Sequence, residues 1–485
     1  MSQATGIEAE GSRGGPRNCG AAALVVCLLV GGIGMALQLS ARSRLDAKHL
    51  EASEEITRLQ ELAARPRTTL LGAASGGENA VVDYAALEWI LNGGQAGSRV
   101  AWQRARPQLP SDVDEVLAQI APKGSLSYPE ISELLRGISP DQPLTNLSPE
   151  DAAAYAKAQA LFRQYQPVLR YVRAGLARGH CDWGVEWGRG LFSDAPNLIS
   201  LRSAAILLAY EASQQETTAA LQTGLEILAL GSEVARLQHV TGAHWASGIT
   251  ITGLNSLAHT LNRDGVSARD CERLLEVTAR YRPLRDLSVL EAERALTLAL
   301  ALGASGRPLD PQITADLEEL ADPNLPRSDL GAARAIEAYE DHVQGLRKHL
   351  GLPRGERMTA PDRESAPSAF VSRSEGLLTS FGWLEATDAH LAPLRALAAA
   401  RLAQLRDGAL PGQLSQLAPL LGEGETQDPL ASPPAPLRYS LEGRTLRCWS
   451  VGLNGADDGG PTRYVQGKAA SQTDDLGFTL ELPGE

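Results

Sequence analysis

The sequence predicts a mainly α-helical protein with an N-terminal transmembrane helix, an α-solenoid-like array of helices and a small C-terminal β-hairpin region. An uncharged apolar run lies near the N-terminus, and apolar residues then recur at helical spacing over most of the chain. Beyond Pro411, short alternating segments rich in Pro and Gly replace this pattern. We therefore divide the chain into a short tail (1–18), a transmembrane helix (19–39), a stalk helix (40–66), a linker (67–78), a helical body (79–406) and a β tail (407–485).

Composition narrows the class of protein. Of the 485 residues, 43% are apolar and 21% are charged, which is typical of a globular fold and not of a disordered or polytopic membrane protein. The net charge of −13 opposes binding to nucleic acid, which needs a cationic face, so no nucleic-acid partner is expected. Arginine far outnumbers lysine, as in proteins encoded by GC-rich bacterial genomes.

The apolar run from Cys19 to Leu39 carries no charge. About 20 helical residues, each rising about 1.5 Å, cover the hydrocarbon core of a bilayer, so the run predicts a transmembrane helix. A cleaved signal peptide is the competing interpretation, but Leu39-Ser40-Ala41 places a large residue where its cleavage site needs a small one. The sequence favours an uncleaved single-pass anchor.

The flanking charges leave the orientation of this anchor open. Arg13 and Arg17 precede the helix, while Arg42, Arg44 and Lys48 follow it, so the count of basic residues does not decide between the two orientations. A short tail before an N-terminal anchor is the usual layout of a bacterial signal anchor. We therefore expect the anchor in the cytoplasmic (inner) membrane of a bacterial envelope and the body on the extracytoplasmic, periplasmic side.

A helical seam follows the anchor. The residues that recur at spacings of three and four are Leu45, His49, Ala52, Ile56, Leu59 and Ala63. This spacing places them on one face of a helix running to Pro66. Fewer than three heptads are too few to establish a stable coiled coil. The sequence leaves two alternatives for this helix, a free stalk and a helix that packs on the body.

The body shows paired amphipathic helices. Apolar stripes at 204–212 and 221–235 predict two helices that pack as a hairpin. Gly248, Thr252 and Ser256 lie four residues apart on the next helix and predict a face where a neighbouring backbone comes close. Such pairs favour an α-solenoid-like or an irregular helical array, although no 34-residue repeat is present.

The tail has the pattern of a small β region. Residues 437–441 and 446–450 alternate between apolar and polar side chains, and Glu442-Gly443 between them predicts a tight turn. The segment Phe478–Leu482 predicts one further strand. A β-hairpin with an additional strand is expected.

Part of the body resembles a known group of proteins. The segment Cys181–Ala212, together with Asn79, Ala80 and Tyr84, resembles an uncharacterised bacterial family of membrane-anchored helical proteins. That family has no assigned activity, so the resemblance implies a location and a helical fold but no chemistry.

The tail resembles a second family. Asp428-Pro429, Trp449–Gly452, Asn454-Gly455 and Asp457–Gly460 are similar to the C-terminal β region of type II secretion pseudopilins. The resemblance implies an exported β-sheet whose loop binds calcium, with Asn454, Asp457 and Asp458 at the matching positions as oxygen donors. The pseudopilin leader and its helix glutamate are absent, so pilus assembly is not implied.

The sequence contains few candidates for catalysis. It has no HExxH, GxSxG, SxxK or Walker motif. His180, Cys181 and Asp182 form the most reactive-looking cluster, between Trp183 and Trp187, but adjacent side chains generally point apart, so a buried thiol among aromatic rings is favoured over a nucleophile.

Two further points stay open. The loop Asn454–Gly460 is either a calcium site or a solvated Asn-Gly turn, and no other metal or cofactor is predicted. Cys181, Cys271 and Cys448 are expected as three isolated buried thiols, with one long-range bridge as the alternative.

These features lead to three hypotheses. The first is a noncatalytic, membrane-anchored scaffold of the bacterial envelope that binds an unidentified protein partner. The second is an enzyme whose scattered site residues line a groove of the helical body. The third is an accessory of a type II secretion-like apparatus, which rests on the tail alone.

Overall fold

A computed structural model of the chain shows a mainly helical protein with a small antiparallel three-stranded sheet near the C-terminus. It describes residues 17–65, 68–73, 79–94, 108–120, 149–187, 198–237, 239–285, 288–312, 328–352, 380–422, 424–461 and 475–482, with side chains from Ile33 onward. The mainly helical class and the C-terminal sheet were both expected from the sequence.

The described helices run in the following order: α1 (Arg17–Ala64), α2 (Val81–Leu91), α3 (Val113–Ile120), α4 (Pro149–Tyr165), α5 (Leu169–Ala177), α6 (Leu198–Gln214), α7 (Thr217–Ala235), α8 (Val240–Leu261), α9 (Ala268–Ala279), α10 (Ser288–Ala304), α11 (Asp329–Gly351), α12 (380–389), α13 (Leu391–Asp407) and α14 (Ala418–Leu421). The strands are β1 (Thr68–Thr69), β2 (Gly72–Ala73), β3 (Arg438–Glu442), β4 (Thr445–Ser450) and β5 (Leu476–Glu481).

Helix α8 lies at the centre of the fold. It packs against α6, α7 and α10, which are near it in sequence, and also against α13 and strand β5, which are distant in sequence. In a solenoid each repeat contacts only the adjacent repeats. The contacts with α13 and β5 therefore fit the irregular helical array better than the α-solenoid-like one, because elements from different parts of the chain cover several sides of α8.

The closest helix contact joins α7 and α8, and it depends on glycines. A Cβ atom at Gly231 would lie 3.2 Å from the backbone nitrogen of Thr250, and one at Gly253 would lie 3.1 Å from the backbone nitrogen of Leu228. Gly248 serves a different contact, because the guanidinium of Arg202 from α6 lies over it. Helix α8 therefore has a face of small residues, as expected. Residues 246, 250 and 253 form this face against α7, whereas the sequence predicted residues 248, 252 and 256.

The seam of α1 is buried. Leu45, Ala52, Ile56 and Leu59 all lie in apolar clusters with side chains of α10, and Leu45 and Ala52 also meet α11. The helix therefore packs along the body and is not a free stalk. Its periodicity predicted which face is buried but not which elements cover it.

Ion pairs border this packed seam. Lys48 lies 2.7 Å from Glu340 on α11, and Arg294 of α10 lies 2.5 Å from the same carboxylate. Arg307 bridges Asp329 and Asp46 at 2.5 and 3.2 Å. Partly exposed pairs of this kind contribute only about 0–1 kcal/mol each, so their main effect is to set the register of α1 on the body.

The predicted transmembrane segment falls at the start of α1. The side chains of 17–32 lie outside the described residues, and over the part that is described no helix has both the length and the apolar character that a bilayer crossing needs. Within the apolar run 19–39, only residues 33–39 have described side chains. Charged residues follow from Arg42. The described structure thus gives the transmembrane helix no support of its own.

The sheet has the order β3-β4-β5 with antiparallel pairing throughout. Leu446 and Cys448 of β4 pair with Leu480 and Phe478 of β5, and all four side chains are buried in the main core beside α13. The hairpin and the additional strand are confirmed. The turn lies one residue later than expected, at 443–444, because Glu442 and Thr445 close the ladder.

Replacing Gly231 with Ala should lower the free energy of unfolding by about 1–3 kcal/mol, because the new methyl group would overpack a contact made by backbone atoms. Urea denaturation measures this loss. The matched control is Gly382→Ala on α12, where the nearest atom to a new Cβ lies 4.0 Å away. We expect this control to be neutral or to gain up to about 1 kcal/mol, as for Gly→Ala within helices. Equal effects for both variants would contradict the close approach.

Candidate functional site

The reactive-looking cluster lines a small concavity where the segment after α5 meets the end of α7. Its lining consists of Cys181, Asp182, Trp183, Val185, Trp187, Arg236 and Leu237. The space inside admits little more than one water molecule.

Asn79 holds this segment in place. Its side-chain amide donates to the carbonyl of Asp182 at 2.9 Å, and its side-chain oxygen accepts the backbone N–H of Asp182 at 3.0 Å. The backbone N–H of Ala80 donates to the carbonyl of His180 at 2.9 Å, which completes a short parallel bridge. Asn79 therefore acts as one rung of a β ladder, and the segment is anchored by backbone groups.

Aromatic packing surrounds the thiol of Cys181. Trp183 stacks on Tyr84 with ring centroids 5.2 Å apart, and its indole N–H donates to the carbonyl of Glu233 at 3.3 Å. The ring of Trp187 meets His239 edge-on at 6.2 Å. Cys181 is buried and unbridged, and no histidine is among the described lining residues. The arrangement matches the expected buried thiol among aromatic rings.

His239 has a structural role. Its Nδ1 accepts the backbone N–H of Gly242 at 3.1 Å and so caps the N-terminus of α8. Burial lowers the pKa of His239 to about 4, so the ring is neutral and can accept this hydrogen bond at physiological pH. The side chains of Cys181, Cys271 and Cys448 are buried, and none of the three forms a disulfide with another described cysteine.

The acidic turn brings Asn454, Asp457 and Asp458 together, but their side chains are engaged within the turn. Asn454 donates to the carboxylate of Asp458 at 2.8 Å. Asp457 accepts from Arg438 Nε at 3.0 Å and from the Trp449 indole at 3.1 Å, one on each oxygen. These hydrogen bonds hold the pKa of Asp457 below its usual value. In this geometry Asp457 joins the turn to the sheet.

A residue that the sequence did not single out orders this turn from inside. The buried carboxylate of Asp475 accepts the backbone N–H groups of Asp458 and Gly460 through one oxygen, at 3.0 and 2.8 Å. Burial raises the pKa of Asp475, and these two donors act in the opposite direction. The sequence offers no signal for this role, because Asp475 follows the turn by 15 residues and no local pattern connects them.

Within the described ranges, no three His, Cys, Asp or Glu side chains converge as metal ligands. The proposed calcium site combines two carboxylates with the amide oxygen of Asn454, and the site at Asn454, Asp457 and Asp458 stays a prediction. A bound cation would have to compete with Arg438 for Asp457.

The most perturbed described carboxyl group lies elsewhere. Asp388 on α12 accepts the backbone N–H groups of Leu284 and Arg285, each at 2.9 Å, one on each oxygen. The side chain of Arg285 pairs with Glu385 at 2.9 Å and donates to the carbonyl of Leu350 at 2.7 Å. Burial raises the pKa of Asp388 to about 7. This cluster joins the loop before α10 to α11 and α12, and its carboxylate is occupied by backbone donors and not open to a substrate.

The pKa of Asp388 predicts a pH dependence of stability. Because its pKa in the folded chain is about 7 and its unfolded value is about 3.9, the folded state binds the proton more tightly. This contribution to stability is complete below about pH 4 and is lost as the pH rises through 7. We expect the urea midpoint to fall less between pH 5 and 7.5 in Asp388→Asn than in the parent chain. Asp114→Asn, at an exposed position of α3, should leave the slope unchanged.

The acidic turn predicts a second outcome. Asp457→Ala should lower the melting temperature with or without calcium, because Arg438 and Trp449 lose their acceptor. The loss corresponds to about 1–2 kcal/mol for hydrogen bonds to a charged group. Asp458→Ala is the comparison, since its described side-chain partner is Asn454 alone. A calcium-dependent rise in melting temperature that disappears in both variants would instead establish the calcium site.

Comparison with known proteins assigns neither a family nor an activity. No family model matches the sequence, and neither the curated proteins nor the solved structures contain a similar chain.

Proposed function

We propose that the chain is a single-pass membrane protein of the bacterial envelope whose body is a noncatalytic scaffold for a protein partner. The observation that carries this proposal is the exposure of the apolar residues of α1 immediately before it meets the body.

The described start of α1 presents apolar side chains on all sides. Ile33, Met35 and Leu39 are exposed by 60, 63 and 62%, and every residue from 33 to 40 is exposed. Successive residues of a helix are rotated by about 100°, so these positions cover the whole circumference. Apolar surface in water costs roughly 25 cal/mol per Å², and a helix that is apolar all round is suited to lipid.

Helix α1 continues without interruption from these exposed residues into the buried seam. Ala41, only two residues beyond Leu39, is 0% exposed and lies against α10 and α11. A helix held in lipid up to Leu39 would therefore keep the body directly at the membrane surface. The layout of a short N-terminal tail and one anchor supports a body on the extracytoplasmic side.

The scaffold role rests on how the candidate groups are used. The concavity at Trp183 and Trp187 has little volume, and the thiol beside them is buried. The two described acids whose pKa is raised, Asp388 and Asp475, accept hydrogen bonds from backbone N–H groups. Such carboxylates stabilise loops through one or both oxygens, and Oδ1 of Asp475 is buried without a hydrogen-bond partner in the described part of the chain.

Fractionation tests the proposed location. In bacterial cells the full chain should sediment with membranes, resist extraction at high pH and dissolve only in detergent. A chain lacking 1–40 should appear in the supernatant, because Ala41 is the first residue packed on the body. A C-terminal reporter enzyme that is active only outside the cytoplasm should be active.

The matched control replaces Met35 and Leu39 together with Lys. Both side chains are largely exposed, so the fold of the body should persist while membrane retention falls. Full-length chain that is recovered without detergent, with its first forty residues intact, would contradict the proposal.

A further inference from the structure

The three-stranded sheet has two edges, formed by β3 and β5, and their outward-facing backbone groups can be identified. Glu442 and Thr445 flank a two-residue turn and so form a hydrogen-bonded pair. Alternation along the strand then turns the backbone groups of residues 438, 440 and 442 toward β4 and those of Tyr439 and Leu441 outward. The same alternation, followed from β3 through β4 to β5, places the backbone groups of residues 477, 479 and 481 on the outer edge of β5.

The β5 edge is closed by Asn262, the residue that follows the last residue of α8. Asn262 donates from Nδ2 to the carbonyl of Thr479 at 3.0 Å and accepts the backbone N–H of Glu481 at 2.5 Å. These are two of the backbone groups that the alternation places on the outer edge of β5, so the hydrogen bonds agree with that assignment. Asn262 acts as a short substitute for a fourth strand, and this edge cannot take another.

The β3 edge is open. In the described part of the chain, the backbone N–H and C=O groups of Tyr439 and Leu441 have no hydrogen-bond partner. Two outward-facing residues of β3 therefore present unpaired backbone groups at the surface. Directly before the strand the edge is covered, because the backbone N–H of Leu437 donates to the carbonyl of Thr426 at 2.9 Å. Such edges pair readily with another extended segment.

The sequence of β3 specifies one segment that fits. When two copies of Arg438–Glu442 run antiparallel about Ser440, Arg438 of each copy lies opposite Glu442 of the other. Tyr439 then lies opposite Leu441, and both are outward-facing residues whose backbone groups form four hydrogen bonds in this register. We propose that β3 is a homodimer interface, in which two copies of the chain pair through this strand to form a continuous six-stranded sheet.

The two faces of the strand support this register. Tyr439 and Leu441 pack against the main core, so their cross-strand contacts would extend an existing apolar layer. Arg438, Ser440 and Glu442 lie on the opposite, solvent-facing side, where opposite charges attract across the strands. Asp457 and the carbonyl of Pro436 engage two of the three guanidinium nitrogens of Arg438, and the third is available to the partner's glutamate.

Cysteine crosslinking tests the pairing. Ser440→Cys, in a full-length chain that also carries Cys19→Ser and Cys27→Ser and is kept in mild detergent, places two thiols opposite each other at the symmetry axis. Facing residues of a non-hydrogen-bonded pair lie about 4.5 Å apart between Cα atoms, within reach of a disulfide. Mild oxidation should give a covalent dimer. Thr57→Cys, exposed on α1, should give at least tenfold less.

Charge variants test the register. Glu442→Arg and Arg438→Glu each place like charges opposite one another, so each should reduce the Ser440→Cys dimer at least tenfold. Mixing the two variants restores opposite charges at both ends and should restore the crosslink. Glu442→Arg leaves the Arg438–Asp457 pair intact. A loss of the covalent dimer in this variant is therefore not caused by a change in the acidic turn that contains Asp457.

Three results would overturn the proposal. A chain that stays monomeric under oxidation, charge variants that crosslink as well as the parent chain, or a Ser440→Cys variant whose new thiol reacts with another protein instead of a second copy would each exclude self-pairing through β3. The proposal does not depend on the membrane anchor, so failure of either leaves the other standing.

Discussion

The fold depends on the close contact between α7 and α8. Because Gly231 and Gly253 carry no Cβ, the two helices approach until side-chain and backbone atoms of Thr250 and Leu228 on the facing helix fill the space that a Cβ would need. This contact fixes α8 in position, and α6, α10, α13 and β5 then pack on its remaining faces. A helix at the centre of so many neighbours needs buried surface on several sides, which its sequence of small and apolar residues supplies.

Buried carboxylates connect the loops to this helical core. Asp388, Asp428 and Asp475 each accept two or more hydrogen bonds that include backbone N–H groups, and in each case those donors lie in a loop or turn. A buried carboxylate without donors would be strongly unfavourable, whereas one with several stabilises an irregular backbone. The pKa values of Asp388 and Asp475 are raised by burial, so both shifts have a structural cause.

The body has two features that bear on assembly, at different places. Helix α1 passes from exposed apolar residues into a buried seam within two residues of Leu39. It therefore sets the distance between the body and any surface that covers the exposed residues. The sheet closes one edge with Asn262 and leaves the other open at β3. The first feature concerns location and the second concerns a partner, and they are physically independent.

The sequence alone determined the elements whose signals are local. The seam at Leu45, the hairpin around Gly443 and the mainly helical class all follow from periods of 3.6 and 2, since these periods state which face of an element is buried. The tertiary structure decided what covers each face. Only the fold could place α8 at the centre, pack α1 on the body and bring Asp475 under the acidic turn, because these contacts join residues that no local pattern relates.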